Sequence, residues 1–154
     1  MDKTLIGSCG IYCRACDHYF ANTQEGEHLK ESEKTAERVK AHPCKGCKAE
    51  NEEEICIYCV GCNVRLCSME KNVELCTQCK SYPCEKLDRF TTGLEHHKEA
   101  AKLLCEHKSA STQEWHEFLE KRWSCPQCGK KFSYYETKCS SCNQEIDGLF
   151  PDVR

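Results

Sequence analysis

The segment CGIYCRAC places three thiols, those of Cys9, Cys13 and Cys16, within eight residues, separated by three and then two residues. Thiolates at such short spacing bind either zinc or the iron of an iron–sulfur cluster. The segment therefore predicts one corner of a structural zinc site or a three-cysteine cradle for a cluster. Radical enzymes that cleave S-adenosylmethionine use the same spacing, but they need a large barrel of alternating strands and helices. A chain of 154 residues without that alternation does not provide one.

Twelve cysteines lie between residues 9 and 84, the number that three four-thiolate sites need. We expect all of them to be metal ligands: Cys9, Cys13, Cys16, Cys44, Cys47, Cys56, Cys59, Cys62, Cys67, Cys76, Cys79 and Cys84. Within this set, Cys56, Cys59 and Cys62 repeat the spacing of bacterial ferredoxins, with Cys67 or Cys84 able to serve as the fourth ligand. Structural zinc is the prediction for this region, and one or more iron–sulfur clusters are the alternative. The spacing does not say which cysteines share a metal.

The most specific pattern is a pair of Cys-x-x-Cys segments near the end of the chain, with ten residues between them. The four cysteines are Cys125, Cys128, Cys139 and Cys142. Each such turn directs backbone N–H groups toward thiolate sulfurs, and Gly129 can adopt a positive φ after the second ligand. The pattern predicts a zinc ribbon, in which Phe132, Tyr134 and Tyr135 belong to a short strand. Rubredoxin-type iron uses the same turn, so the pattern identifies the four ligands better than it identifies the metal that they bind.

A few other residues could take part in chemistry. Cys105 stands apart from the thiol clusters with His107 close by, and such a pair could form a nucleophile. Because Cys105 follows Leu94 by three helical turns, we interpret it instead as a small apolar residue in the core. His18 and His42 flank thiol clusters and could each replace a cysteine as a zinc ligand, although twelve cysteines already suffice. The sequence therefore predicts no catalytic residue.

Helices are expected to position these thiols. The charged run 25–41 has apolar residues at roughly helical spacing, and Pro43 is expected to end it. Residues 85–107 show a second helical pattern that is interrupted near Gly93. A third helix is predicted to begin at the capping box Ser111–Glu114.

The composition makes metal the expected source of stability. Seventeen cysteines, 31% charged residues and few large apolar ones leave hydrophobic burial weak for a chain of this length. A structural zinc site contributes about 10–16 kcal/mol of binding energy to folding, which can replace much of a missing core. No apolar run is long enough for a signal peptide or a membrane span. We therefore expect a cytoplasmic protein without membrane association, whose thiols stay reduced and available to metals.

The charge balance bears on the choice of partner. The formal net charge of −3 becomes roughly −11 when sixteen thiolates hold four Zn²⁺ ions. Such a protein is not a general nucleic-acid binder, because affinity for phosphates needs a cationic face. One local cationic face lies near the ribbon, on Lys121, Arg122, Lys130, Lys131 and Lys138. This cationic face makes nucleic-acid binding a weaker alternative. The favoured prediction is a protein partner.

The order of the cysteine segments is also familiar. CGIYCRAC, then CKGC at 44–47, then CVGCNVRLCSMEKNVELCTQCKSYPCEKLDRF at 59–90 resembles a small cysteine-rich family of bacteria and archaea that is catalogued as a domain of unknown function. The similarity continues through Glu114-Trp115 to the ribbon segment Arg122-Trp-Ser-Cys-Pro-Gln-Cys-Gly129, and it covers about residues 5–145. The resemblance implies a metal-binding module that holds zinc, with no established reaction.

These patterns predict a small α+β or irregular fold that is stabilised by metal. Its predicted parts are a cysteine-rich metal-binding domain at 1–90, a helical connector at 91–121 and a zinc ribbon at 122–154. The predicted cofactor is zinc, about four ions. The predicted function is a non-enzymatic module that acts through protein contacts. An iron–sulfur electron carrier or redox sensor is the alternative, and a nucleic-acid adaptor is the weaker one.

Overall fold

Short helices form most of the regular structure. A computed structural model describes residues 5–31, 36–40 and 43–149. The α-helices in these ranges are α1 (Asp17–Phe20), α2 (Ala36–Lys40), α3 (Ile57–Val60), α4 (Asn63–Glu70), α5 (Glu85–Thr91), α6 (Glu95–Glu106) and α7 (Thr112–Arg122). Short 3-10 helices cover Cys13–Ala15, Gln24–Lys30, Glu52–Glu54 and Cys76–Gln78. None of the helices in these ranges is both long and apolar enough to cross a bilayer.

Strand structure is scarce in the described ranges. It consists of three isolated antiparallel bridges, Ile6–Tyr12, Ser124–Lys131 and Lys138–Glu145. The alternating strand predicted within 132–135 is wrong, because Phe132, Ser133 and Tyr134 are all buried. Protein covers both sides of this segment, and the rings of Phe132 and Tyr134 pack edge-on against Trp123. The α+β prediction therefore holds only in a coarser form, as a mostly helical chain with little strand and a C-terminal cysteine group.

Two of the predicted helical patterns are confirmed. The pattern at 85–107 forms α5 and α6, with the break next to Gly93 as predicted. At the start of α7, Ser111 Oγ accepts a hydrogen bond from the Glu114 N–H at 3.2 Å, and the Glu114 carboxylate accepts one from the Ser111 N–H at 2.8 Å. This reciprocal pair is the predicted capping box, and it fixes where α7 begins.

The charged run 25–41 does not form one regular helix. Its first part belongs to the 3-10 helix Gln24–Lys30, α2 follows at Ala36–Lys40, and residues 32–35, 41 and 42 lie outside the described ranges. Gly26 allows the 3-10 helix to approach α1 closely, since a Cβ there would lie 2.1 Å from the carbonyl oxygen of Phe20. Pro43, the predicted end of this helix, directly follows residues 41 and 42, which lie outside the described ranges.

The main core joins the first thiol loop to the C-terminal part of the chain. Its largest fully buried side chains include Tyr12, Trp115 and Trp123, one from each of the three predicted parts. Gly10 allows the loop to contact α6 directly, because its φ is +89° and a Cβ would lie 2.8 Å from the carbonyl oxygen of Ala100. Packing on helices therefore holds the CGIYCRAC loop, in addition to any metal. The predicted boundaries near residues 90 and 121 stay predictions.

Candidate metal centres

The four C-terminal cysteines converge on one point. The Sγ atoms of Cys125, Cys128, Cys139 and Cys142 all lie within 4.8 Å of one another. The Cys125 and Cys142 sulfurs are 3.7 Å apart, and the Cys128 and Cys139 sulfurs are 3.5 Å apart. The sulfurs of a tetrahedral zinc site are about 3.8 Å apart, because each Zn–S bond is about 2.3 Å long. This group could hold a metal ion with little rearrangement.

Local backbone geometry forms this C-terminal group. Gly129 has a φ of +75° and donates its N–H to the Cys125 carbonyl at 2.9 Å. Asn143 has a φ of +59° and donates its N–H to the Cys139 carbonyl at 3.0 Å. Glycine and asparagine tolerate these left-handed conformations better than most residues. Although burial opposes ionisation, backbone N–H groups of the second turn lower the pKa of Cys139 to about 6, which favours the thiolate that binds metal.

A second concentration of thiols surrounds one cavity in the N-terminal half, with a volume of about 570 Å³. Eight cysteines line it: Cys9, Cys13, Cys16, Cys44, Cys47, Cys56, Cys59 and Cys62. Among the described residues, only the C-terminal group brings three or more such ligand atoms within 4.8 Å of one another. The eight thiols are therefore spread around a space much larger than one ion.

Pairwise contacts connect some of the cavity thiols. The sulfurs of Cys13 and Cys47 are 3.3 Å apart, and the Cys47 N–H donates to the Cys13 sulfur at 3.4 Å. The thiol of Cys59 interacts with those of Cys47 and Cys56. The Gly46 N–H donates to the Cys44 sulfur at 3.4 Å. These contacts show that segments far apart in the sequence present their thiols to the same cavity.

Cationic side chains accompany these thiols. Arg65 is only 8% exposed, and its guanidinium donates to the carbonyl oxygens of Cys47 at 2.8 Å and Val60 at 3.2 Å. Lys48 also lines the cavity. Burial raises the pKa of Cys9 to about 12, so this thiol needs a bound cation in order to ionise near neutral pH. The buried guanidinium supplies positive charge beside several potential thiolates.

The other four N-terminal cysteines surround a separate void of about 30 Å³: Cys67, Cys76, Cys79 and Cys84. A void of this size can hold a water molecule or a single metal ion. The Ser81 N–H donates to the Cys79 sulfur at 3.5 Å, and Lys71 Nζ donates to it at 3.7 Å. These donors lower the pKa of the Cys79 thiol. The cavity and the void together account for all twelve N-terminal cysteines that the sequence singled out.

A tyrosine hydroxyl connects the C-terminal region to the first thiol loop. Tyr134 Oη accepts the Tyr12 N–H at 2.8 Å and donates to the Tyr12 carbonyl at 2.9 Å, and both residues are buried. The Tyr12 hydroxyl donates to Glu120, whose carboxylate also pairs with Lys131. Because Tyr12 directly precedes Cys13, the geometry of the loop depends on a residue 122 positions away. Sequence reasoning missed this contact, since Tyr134 has the pattern of an ordinary core residue.

Cys105 and His107 do not pair as a nucleophile and its base. Cys105 is exposed, so the prediction that it packs in the core is wrong. The two leucines that precede it on α6 face the core and leave the thiol at the surface. The ring of His107 packs instead on Trp115 and Phe118, with centroid distances of 5.5 and 4.2 Å.

The two histidines considered as ligands have different outcomes. His18 lines the cavity and interacts with the Cys56 thiol. It is buried, and its Nδ1 has no hydrogen-bond partner among the described residues. His42 lies outside the described residues. His18 is therefore available to interact with whatever occupies the cavity.

The cationic face near the C-terminal group is partly used inside the fold. Arg122 pairs with Glu99 and stacks over Trp123, with Cζ 4.3 Å from the ring centroid. Lys131 pairs with Glu120. Two of the five cations are thus engaged in intramolecular contacts, which leaves less positive charge for phosphate groups.

Comparison with known proteins gives one match. A model of the protein family described as Protein of unknown function (DUF3795) matches residues 5–89. The matched region is slightly more than half of the chain; it contains all twelve N-terminal cysteines and ends before the C-terminal group. No curated protein and no solved structure matches the chain. The functions of the thiols must therefore be inferred from their own geometry.

Proposed function

The chain belongs to the family of proteins of unknown function DUF3795, and from that premise we propose that it is a non-enzymatic metalloprotein that acts through contacts with another protein. One zinc ion is bound by the C-terminal group, as in a zinc ribbon, and a second occupies the small void. The cavity thiols bind iron in iron–sulfur form, which is the alternative cofactor that the sequence left open. Zinc then stabilises the fold, while iron carries or senses electrons.

The observation that carries this proposal is the difference in size between the three thiol groups. The C-terminal sulfurs lie within 4.8 Å of one another, and the void has a volume of about 30 Å³. The C-terminal spacing matches a single zinc ion, whose sulfur ligands are about 3.8 Å apart. The void has room for one ion, and its thiols would have to move closer together to bind it, since no three of them lie within 4.8 Å of one another. The cavity has a volume of about 570 Å³ and spreads its thiols around an interior that Ile11, Phe90 and Leu94 also line. A four-iron cluster needs sulfur ligands about 6 Å apart and such apolar shielding.

Metal analysis of the whole chain, purified without oxygen, tests this proposal. We expect about two zinc ions per chain, together with iron and an equal amount of acid-labile sulfide. The protein should be brown and absorb near ~400 nm, because thiolate-ligated clusters have charge-transfer bands that zinc lacks. Exposure of the same sample to air should bleach this band and leave the zinc content unchanged. About four zinc ions and no iron would contradict the iron–sulfur part and favour an all-zinc module.

Exposed apolar side chains support a protein partner. Ile57, Tyr58, Leu66 and Met69 all lie on α3 and α4, and Tyr58 and Met69, at 69% and 61% exposure, also line the cavity. Large exposed apolar side chains that cluster in this way are typical of interaction sites. A partner seated there would cover two residues that line the cavity.

Replacing both Tyr58 and Met69 by serine is expected to weaken partner binding at least about 30-fold, because a single interface anchor of this kind contributes about 2 kcal/mol. Partners would first be identified by cross-linking and mass spectrometry in the native host, and their affinity then measured with purified proteins. The double variant should keep its metal content, since neither side chain offers a thiol. A matched control replaces Lys121 and Lys138 by serine near the C-terminal group. Loss of binding in the control, with none in the first variant, would place the contact on the cationic face instead.

A further inference from the structure

We infer that His18 is a nitrogen ligand of the metal centre in the cavity, and that its Nδ1 binds one iron beside the cavity thiols. This inference rests on the proposed function, which assigns iron–sulfur chemistry to the cavity. It adds an imidazole to a centre that the cysteine spacing describes with sulfur alone. Histidine in place of cysteine raises the reduction potential of such centres, so the inference also predicts a centre that is easier to reduce.

The short helix that follows the first thiol loop fixes the position of His18. The Cys16 carbonyl accepts the N–H groups of Tyr19 and Phe20 at 3.0 and 2.8 Å, so α1 begins directly at the last thiol of the loop. Asn22 Nδ2 donates to the His18 carbonyl at 2.8 Å. Phe20 is fully buried in a separate apolar cluster. Helical residues two positions apart point about 200° apart, so the burial of Phe20 directs His18 to the opposite side of α1, which lines the cavity.

A second thiol-bearing segment lies on the imidazole ring. The ring of Tyr58 packs against that of His18, with a centroid distance of 5.7 Å. Tyr58 lies between Cys56 and Cys59 in a closed turn, in which the Cys59 N–H donates to the Cys56 carbonyl at 2.7 Å. These two cysteines line the cavity, as does Cys16, two residues before the histidine. The ring of His18 is therefore placed between two segments that carry thiols.

The Nδ1 atom of His18 is available for a bond. The residue is only 9% exposed, and its Nδ1 has no hydrogen-bond partner among the described residues. Two other histidines among the described residues line the cavity, and their Nδ1 atoms are already bonded. Nδ1 of His96 bonds the Tyr135 hydroxyl at 2.5 Å, and Nδ1 of His97 bonds the Phe90 carbonyl at 3.2 Å. Because buried polar groups are normally bonded, and imidazole nitrogen is a common ligand of iron, the bare Nδ1 of His18 indicates a metal ligand.

The charges around the cavity also favour a neutral ligand. Two cations line it, Lys48 and Arg65, but so do two acidic side chains, Asp17 and Glu74. The two carboxylates reduce the net positive charge that the cations supply to bound thiolates. Each further thiolate would add a buried negative charge, which is costly unless it is paired. An imidazole bound through Nδ1 keeps its proton on Nε2 and adds no charge.

Pulsed electron paramagnetic resonance of the full chain tests this inference. The chain is reconstituted without oxygen from ferrous and ferric iron and sulfide, and dithionite then adds one electron to the oxidised centre, which makes it paramagnetic. We expect a strong hyperfine coupling to ¹⁴N, which changes to the ¹⁵N pattern when only the histidines are labelled with ¹⁵N. The label separates imidazole nitrogen from backbone amide nitrogen.

His18→Gln should abolish this coupling, because glutamine fills much of the space but offers no imidazole. The variant should also lose iron to a chelator about tenfold faster or more, since loss of even an outer-shell partner weakens metal binding about 10–100-fold. His97→Gln is the matched control, because it makes the same change at a cavity histidine whose Nδ1 is already bonded. It should keep both the coupling and the slow loss of iron.

The results separate the inference from the proposal that it extends. Wild-type protein that binds no iron contradicts both. Wild-type protein that binds iron but shows no coupling to histidine nitrogen contradicts only the inference, and so does coupling that remains in His18→Gln. If His18→Gln does not fold, a triple variant decides instead, with glutamine at His96, at His97 and at His42, which lies outside the described residues. Coupling that persists in the triple variant supports His18 as the ligand, and its loss contradicts the inference.

Discussion

Cys128→Ser is expected to remove one zinc ion per chain and to unfold the C-terminal region. Cys128 is an exposed member of the group whose four sulfurs lie within 4.8 Å, so serine in its place leaves no hole in the core. The loss therefore measures metal binding rather than packing. Structural zinc contributes about 10–16 kcal/mol of binding energy, and a site with three thiolates keeps only part of it. We expect the free energy of unfolding to fall by at least several kcal/mol.

Zinc content per chain and thermal unfolding followed by tryptophan fluorescence check this expectation. Trp123 is a suitable reporter, because it is buried against Phe132 and Tyr134 in the same region. Cys105→Ser is the matched control, since it makes the same chemical change at an exposed thiol outside every thiol group. Equal zinc content and equal stability in the two variants would show that the C-terminal group does not bind a structural metal.

The C-terminal group could be predicted from the sequence because its geometry is local. Two Cys-x-x-Cys turns, each followed by a residue with positive φ, place the sulfurs with little help from the rest of the chain. The helices α5, α6 and α7 were predictable for the same reason, since a capping box and a break at glycine act within one turn. The strand predicted within 132–135 failed because tertiary packing buries consecutive residues there, and alternation holds only where one side of a segment faces water.

The grouping of the N-terminal cysteines could not be predicted, because it depends on how distant segments fold back on one another. Cys13 meets Cys47 across 34 residues, and no short-range spacing encodes that contact. The exposure of Cys105 depends on the rotation of α6 against the core, which places Leu103 and Leu104 inside and the next residue at the surface. Residues that bind nothing themselves are harder still to find. Tyr134 is the clearest case, since its contribution is to the backbone of a loop that carries ligands.

Tyr134→Phe is expected to lower the free energy of unfolding by about 1–3 kcal/mol, although it removes only one oxygen atom. The hydroxyl accepts from the Tyr12 N–H, and this buried donor, left unpaired, costs about 1–3 kcal/mol. The Tyr12 carbonyl keeps the hydrogen bond that it accepts from the Ala15 N–H at 3.1 Å. The same change loosens the backbone directly before Cys13. We therefore also expect metal bound by the cavity thiols to be lost to a chelator several times faster, while zinc at the C-terminal group stays bound, because no thiol of that group contacts this hydroxyl in the described structure.

Tyr135→Phe provides the matched control for this prediction. Its hydroxyl bonds Nδ1 of His96 at 2.5 Å in a half-buried position, and loss of that bond leaves groups that water can reach. Its effect on stability should be about 1 kcal/mol or less, with no change in the rate of metal loss. Thermal unfolding and chelator kinetics on both variants separate a general loss of stability from a specific effect on the loop. If both variants lose cavity metal at the same rate, the Tyr134 hydroxyl does not position the loop. If only Tyr134→Phe does, the C-terminal region controls how firmly the first thiol loop holds its metal.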